Sequence, residues 1–214
     1  MKDKIISPAP IFPWSGKKGS KDKVLFIGAN DMREIVDYKH QYKEGLFIEP
    51  IPQAFDLLTK NLEEVNNSNG NNFKALQALI TNKDGEVYDF HLYNNDLYVS
   101  SSIFKMREEE RDRLGYKETI KLTSKRMSTI ISSFNLNIKD YDVFVDVQGA
   151  ELEVLKSFDH HINEIDWLKT EVSTSAIYYD GVLFDELNYF LNQHNLFTND
   201  VAHGQMDVIY KKIT

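Results

Sequence analysis

The 214-residue sequence contains no cysteine, which excludes disulfides and thiolate metal sites and fits a reducing compartment. It also lacks any apolar run of the length that a membrane-spanning helix needs. Residues 1–7 carry two lysines without a long apolar stretch behind them, unlike a secretory signal. We therefore expect a cytoplasmic protein without a membrane span.

Positive charge is also scarce. The 25 Lys and Arg residues are outnumbered by 33 Asp and Glu, which gives a formal net charge of -8. Because contacts to phosphate require clustered cations, this balance disfavours a general nucleic-acid-binding protein. A local lysine cluster at Lys17, Lys18, Lys21 and Lys23 is more typical of a solvated segment before a strand. No nucleic-acid partner is expected.

Three of the five prolines lie near the N-terminus, at Pro8, Pro10 and Pro13. Proline fixes φ and removes a backbone donor, so residues 1–22 are predicted to form an extended N-terminal arm. The remaining residues, 23–214, show no internal repeat. Their number suits one domain with a sizeable core.

Short apolar runs that end abruptly in polar or glycine residues indicate buried parallel strands. The clearest are 24–27, 46–48 and 143–145. Apolar residues recur at helical spacing after Pro52 and again after Gly149. Strands that alternate with helices predict an α/β fold with a parallel sheet and right-handed crossovers.

Two further strand pairs are predicted from turn chemistry. Residues 73–80 and 86–92 are expected to form a hairpin around a tight Asp-Gly turn at 84–85. Strands are also predicted at 196–198 and 206–210. The connection between the last two is short, so they are expected to be antiparallel neighbours.

The first candidate site is the turn that directly follows the first strand, formed by Gly28, Ala29, Asn30 and Asp31. Small residues there let a ligand approach the backbone closely. Exposed amides at the start of the following helix can receive polar ligand groups. We interpret the turn as part of a ligand site, with a plain structural turn as the alternative.

Glu49 ends the second strand, 21 residues after Gly28. In dinucleotide-binding folds, an acidic residue at about this distance accepts hydrogen bonds from a ribose. Glu49 is therefore predicted to bind the ribose of a cofactor. The alternative is a carboxylate at the start of a helix, beside Pro50 and Pro52, that interacts favourably with the helix dipole.

Asp146 follows the strand at 143–145 and opens the segment Asp-Val-Gln-Gly-Ala-Glu, which ends at Glu151. Ligands of open α/β sheets bind beyond the carboxyl ends of the strands, so Asp146 is expected to face the cleft. Gly149 permits a sharp turn into the next helix. The alternatives are a helix cap for Asp146 and a dipole contact for Glu151.

Segments 24–30, 47–50 and 146–151, in this order and spacing, resemble the FkbM methyltransferase family. Further similarity lies at 78–85, 100–103 and 204–210. The resemblance implies a Rossmann-like class I methyltransferase fold and S-adenosylmethionine as the cofactor. This fold has a mostly parallel seven-stranded sheet, an antiparallel C-terminal hairpin and helices on both faces.

The resemblance places the cofactor against the first turn, the ends of two strands and the third-strand segment. An apolar adenine site is expected from Pro50, Leu79 and Ile80. The full set of predicted cofactor-binding residues is Gly28, Ala29, Asn30, Asp31, Glu49, Pro50, Leu79, Ile80 and Asp146.

The family implies methyl transfer to an acceptor oxygen, often that of a sugar or another small molecule. The protein must then align the acceptor and remove its proton. Candidate bases are Glu151, Glu171 and His203, of which His203 has the most suitable unperturbed pKa. The alternatives are a solvated loop histidine and a polar strand end. Asp146 and Glu171 are also of the residue type that binds Mg²⁺, so a Mg²⁺ site is the alternative, but it is not favoured because the ligand set is incomplete.

Two positions depart from the family's pattern. Phe26 stands where Asp is usual, two residues before Gly28, and Met32 stands where a second glycine is usual. They favour a second hypothesis, a non-catalytic domain of the same fold that serves as a binding or interaction module. A nicotinamide-dependent dehydrogenase is a third, but the three-glycine fingerprint is incomplete. The leading hypothesis is an O-methyltransferase for a sugar or other small acceptor.

Overall fold

The computed structural model describes residues 19–32, 38–94 and 96–213. The predicted N-terminal arm lies mostly outside the described residues, so it and the domain boundary at residue 23 stay predictions. None of the described helices is long and apolar enough to cross a membrane.

The central strands of the structure follow the apolar runs closely. The strands are β1 (Lys23–Ile27), β2 (Glu44–Glu49), β3 (Asn72–Gln77), β4 (Leu79–Ile80), β5 (Val87–Tyr93), β6 (Tyr116–Lys125), β7 (Tyr141–Val145), β8 (Trp167–Ser173), β9 (Leu196–Phe197) and β10 (Gln205–Lys212). The α-helices are α1 (Pro52–Asn69), α2 (Glu108–Leu114), α3 (Met127–Phe134), α4 (Glu151–Lys156) and α5 (Phe184–Gln193).

The main sheet has seven strands in the order β3-β2-β1-β7-β8-β10-β9. The first five are parallel, and β10 pairs antiparallel with both β8 and β9. The predicted fold class and C-terminal hairpin are thereby confirmed. Strand order reverses between β1 and β7, and such a switch point opens a crevice beyond the carboxyl ends of the strands.

The predicted hairpin of 73–80 with 86–92 is wrong. The first run breaks at Ala78, so β3 joins the main sheet while β4 belongs to a separate sheet of order β4-β6-β5. Both β4 and β5 pair with β6 rather than with each other. Gly85 has a φ of 72°, which suits a tight turn. The strand that follows it, however, pairs with β6 and not with β4. The long polar strand β6 lies between β4 and β5, which turn chemistry had predicted to pair with each other.

Alternation along the strands divides the core between the two sheet faces. Leu25 and Ile27 of β1 pack with α3, α4 and α5, while Val24 and Phe26 pack with α1. Helices therefore cover both faces, as predicted. Phe144 of β7 is central to the second face, where its ring stacks on Phe26 at a centroid distance of 5.1 Å.

Replacing Phe144 by alanine tests the importance of this aromatic cluster. The ring also contacts Tyr38, Tyr42 and Trp167. Loss of a buried phenyl group costs about 3–5 kcal/mol. We expect Phe144→Ala to lower the free energy of unfolding by that amount in urea titrations.

Tyr189→Ala is the matched control, because Tyr189 is 69% exposed. Surface substitutions of this kind change stability by about 0.5 kcal/mol or less. Equal stability losses in the two variants would contradict a core organised around Phe144.

Candidate functional site

A cavity of about 610 Å³ lies at the switch point, beyond the carboxyl ends of β1, β2 and β7. Its volume is within the range of small-molecule sites, about 300–1,000 Å³. Eight of the nine predicted cofactor-binding residues line it: Gly28, Ala29, Asn30, Glu49, Pro50, Leu79, Ile80 and Asp146. Residues that are far apart in the sequence therefore line one cavity in the fold.

Gly28 brings the end of β1 against the end of β7. Its φ is 87°, and a Cβ at this position would lie 1.7 Å from the carbonyl oxygen of Asp146. No side chain fits there, and an L-residue would also be strained at this φ. Glycine is thus required for the two strand ends to meet at the cavity.

The backbone amides of residues 28–32 donate hydrogen bonds within the protein. Residues 33–37, which follow the turn, lie outside the described residues, so ligand binding by amides at the start of the following helix stays a prediction. The amides of Gly28 and Ala29 both donate to the carbonyl oxygen of Ile48, at 2.9 and 3.0 Å. Asn30 donates its amide to Glu49, and Asp31 donates to the Asn30 side chain. The amide of Met32 donates to the carbonyl of Ala29. The turn therefore shapes the cavity through close backbone packing.

Glu49 is almost fully buried, and its carboxylate joins three segments. One oxygen, Oε2, accepts the Asn30 amide at 2.8 Å, and Oε1 accepts the Ile51 amide at 2.8 Å. Burial raises the pKa of Glu49 to about 7, against the lowering effect of these two hydrogen bonds. Each oxygen keeps acceptor capacity for a ligand hydroxyl. The bond to Ile51 also agrees with the alternative role beside the helix start.

Asn30 connects the turn to the opposite wall of the cavity. Its side-chain Nδ2 donates to the Leu97 carbonyl oxygen at 2.9 Å. This wall was not predicted as part of the site, although its serines contributed to the family resemblance. The residues that it adds to the lining are Phe90, Tyr98, Val99, Ser100, Ser101 and Ile103.

Phe26 and Met32, the two departures from the family pattern, contribute to the wall without filling the cavity. Both are buried, and both belong to the aromatic core cluster on the face of α1. The Phe26 ring stacks between those of Phe144 and Phe47. The observation that favoured a non-catalytic domain is therefore accommodated by core packing.

The other end of the cavity is polar and acidic. Asp146 and Glu171 both line it, together with Gln148 and Gln205. Burial raises the pKa of Glu171 well above its usual range, and the charge of Asp146 raises it further. Glu171 is the one predicted base that lies on the wall of this cavity.

Glu151 is placed behind the loop that follows β7 and does not line the main cavity. Its Oε1 accepts the amides of Val147 and Gly149, both at 3.1 Å. Burial raises the pKa of Glu151 to about 7, with the charge of Asp146 adding to the effect. These contacts favour a role in holding the loop over a role as the base.

Two other predicted site residues also lie outside the cavity lining. His203 is exposed in the loop before β10, so the cavity geometry lends no support to its prediction as a base. Asp31 is buried beside the turn, where its carbonyl accepts a hydrogen bond from Asn61 at 2.7 Å. A role for Asp31 in ligand binding stays a prediction.

The described lining is acidic. It includes the carboxylates of Glu49, Asp146 and Glu171, and none of its described residues is Lys, Arg or His. Carboxylate oxygens of Asp146, Glu151 and Glu171 lie within 4.8 Å of one another, a spacing that also suits a metal ion. A site of this charge favours a cationic ligand over an anionic one.

The strand order, the antiparallel last strands and the cavity at the switch point define a Rossmann-like methyltransferase fold. The sequence pattern of the Methyltransferase FkbM domain matches residues 27–197, more than half of the chain. The protein therefore belongs to the FkbM methyltransferase family. No curated protein sequence matches the chain significantly.

Two solved structures with TM-scores of 0.50 or more show the same fold at low sequence identity. A methyltransferase FkbM from Methylobacillus flagellatus KT has a TM-score of 0.55 and 12% identity, and the match covers 94% of this chain and 46% of that one. The METTL16 methyltransferase domain has a TM-score of 0.50 and 10% identity, with coverages of 92% and 61%. M. capricolum TrmK, solved with S-adenosyl-homocysteine, has a TM-score of 0.47 and 12% identity, with coverages of 91% and 63%. This chain spans about half the length of the Methylobacillus protein.

The raised pKa of Glu151 predicts a specific pH dependence of stability. Between pH 4.5 and about 7, the folded protein holds a proton that the unfolded chain releases, so stability falls as pH rises through this window. Glu151→Gln keeps an acceptor for the two loop amides and removes the titration. We expect the variant to gain stability relative to wild type between pH 4.5 and 8, by about 3 kcal/mol at most.

The measurement is urea unfolding at a series of pH values. Glu153→Gln, on the same helix but outside the acidic cluster, is the matched control and should track wild type. A Glu151→Gln difference that does not change with pH would show that this carboxyl does not titrate as its burial requires.

Proposed function

We propose that the protein is an S-adenosylmethionine-dependent methyltransferase that methylates a hydroxyl group of a sugar or another small acceptor. The observation that carries the proposal is the arrangement of Gly28, Glu49 and Asp146 around one cavity at the switch point of the sheet. Membership of the FkbM family supports the reaction type.

The cavity residues fit the proposed cofactor in shape and charge. Gly28 and Glu49 line the same cavity, and Glu49 offers acceptors to ribose hydroxyls. Pro50, Leu79 and Ile80 supply an apolar surface for adenine. The carboxylate-lined wall suits the positive charge of a sulfonium.

When bound, S-adenosylmethionine supplies a methyl group on a positively charged sulfur, which leaves as a neutral thioether. The protein's own contribution is to orient the acceptor hydroxyl and to take its proton. Glu171 is placed for both tasks, because it lies on the cavity wall beside Asp146. Its raised pKa makes it a stronger base than an ordinary carboxylate, provided that it is ionised.

A neutral, hydroxyl-rich acceptor agrees with the lining of this end. The side chains of Gln148 and Gln205 and the segment Ser100–Ser101 provide polar groups of both hydrogen-bonding types. The carboxylates oppose acceptors that carry phosphate or carboxylate groups. These features support a carbohydrate or similar acceptor.

The first test is binding of S-adenosylhomocysteine, measured by calorimetry. Glu49→Gln should weaken binding about 10- to 100-fold, the effect of losing a hydrogen bond to a charged group. Wild-type affinity should also fall as the pH is lowered through 7, because protonation of Glu49 removes an acceptor. The pH dependence should be flatter in the variant.

Glu64→Gln, an exposed position on α1, is the matched control and should bind as wild type does. Circular dichroism should confirm that each variant is folded. Absence of binding by wild type would remove the proposed cofactor, and equal binding by Glu49→Gln would remove the role of Glu49.

The second test separates the two candidate bases with labelled S-adenosylmethionine and a set of neutral glycosides. Glu171→Gln should reduce methyl transfer about 10²- to 10⁴-fold, the usual contribution of a general base. His203→Ala should transfer at the wild-type rate, because His203 lies outside the cavity lining. The opposite pattern, with activity lost in His203→Ala alone, would transfer the role to the histidine.

A further inference from the structure

Gln148 occupies the position between the two carboxylates at the acidic end of the cavity. Its Nε2 donates to Asp146 Oδ1 at 2.7 Å and to Glu171 Oε2 at 2.8 Å. Its Oε1 accepts the Tyr178 hydroxyl at 3.1 Å. Both amide hydrogens are thus used, one on each carboxylate.

The amide of Gln148 is in contact with groups on two sides. Its donors meet carboxylate oxygens of Asp146 and Glu171, and its oxygen lies 3.1 Å from the Tyr178 hydroxyl oxygen. Gln148 also adopts a φ of 56°, an unusual conformation for a residue other than glycine. The neighbouring Gly149 lets the loop pass close to Tyr178, whose ring would lie 2.9 Å from a Cβ there.

The Gln148 amide forms a bridge between two carboxyl groups of like charge, Asp146 and Glu171. Asp146 and Glu171 repel each other, and Glu151 adds a third carboxylate within 4.8 Å. A divalent cation is one way to hold such a group together. Here, two N–H dipoles of a neutral amide stand between Asp146 and Glu171 instead.

We propose that Gln148 is a positioning residue that holds Asp146 and Glu171 together in the way that a divalent cation does in metal-dependent sites. The bridge leaves Glu171 oriented toward the cavity, where Gln205 also hydrogen-bonds it. The relevance of this geometry to catalysis rests on the proposed role of Glu171 as the base. The bridging itself is independent of any cofactor or acceptor.

Replacing the amide by a carboxylate should convert the bridge into a cation site. Gln148→Glu places a further carboxylate between Asp146 and Glu171, a ligand type that Mg²⁺ and Mn²⁺ prefer. We expect about 5 mM Mg²⁺ to raise the melting temperature of this variant and to leave the melting temperature of wild type unchanged. Calorimetry should give Mn²⁺ binding at least about tenfold tighter than to wild type.

Gln205→Glu is the matched control, because it adds the same charge beside Glu171 from a different element, β10. It should gain less metal affinity than Gln148→Glu. A wild-type protein that Mg²⁺ stabilises as strongly as the variant would overturn the proposal. Equal gains in the two variants would also overturn it, because charge alone would then explain the effect.

A second variant tests the bridge without metal. Gln148→Met keeps the length of the side chain and removes both donors. The groups that face Glu171 are Asp146, Glu151, Asp207 and Tyr178. Without the amide, ionisation of these carboxylates becomes costlier, so the variant should lose stability relative to wild type as pH rises from 5 to 8.

The measurement is the melting temperature of the two proteins across that pH range. A purely space-filling Gln148 would give a difference that is constant with pH, and this result would overturn the proposal. Since neither experiment uses cofactor or acceptor, failure of the bridge and failure of the methyltransferase assignment remain distinguishable.

Discussion

The contact between Gly28 and the carbonyl of Asp146 is the constraint on which the site depends. The ends of β1 and β7 are joined by the Asp146 amide, which donates to Ile27 at 3.0 Å, while the Gly28 amide donates to Ile48 of β2. Three parallel strands therefore end at one level. Their terminal residues, separated by up to about 118 positions in the sequence, meet around one cavity as a result.

The second constraint is electrostatic. The protein buries carboxylates at this edge of the sheet without placing a described cation among the lining residues, and burial raises the pKa of Glu49, Glu151 and Glu171. Such groups destabilise the folded state near neutral pH, so their presence indicates a function rather than a contribution to stability. A cationic ligand compensates part of this cost, which agrees with the proposed cofactor.

Sequence patterns predicted the elements that depend on local chemistry. Apolar runs located the central strands, and Gly28 and Glu49, which their spacing singled out, line one cavity. The partner of β5 was not predictable, because pairing with a distant strand depends on packing that turn residues do not encode. The hydrogen bonds from the turn amides to Ile48 and Glu49 were also not predictable, because they depend on where neighbouring strands end relative to each other. The bridge formed by the Gln148 amide was not predictable either, because it requires two carboxylates, Asp146 and Glu171, that are distant in the sequence.

The two ends of the cavity are built by different means. Strand ends, backbone packing and the Glu49 carboxylate form the end around Gly28. At the other end, side chains of β8 and β10 meet side chains from loops, and the Tyr178 hydroxyl oxygen lies 2.7 Å from the Ser100 carbonyl oxygen and 3.1 Å from Gln148 Oε1. Loops vary among related proteins more than the elements that they connect. Family membership therefore supports the proposed cofactor end most directly, while the proposed acceptor end depends on this chain's own side chains around Glu171.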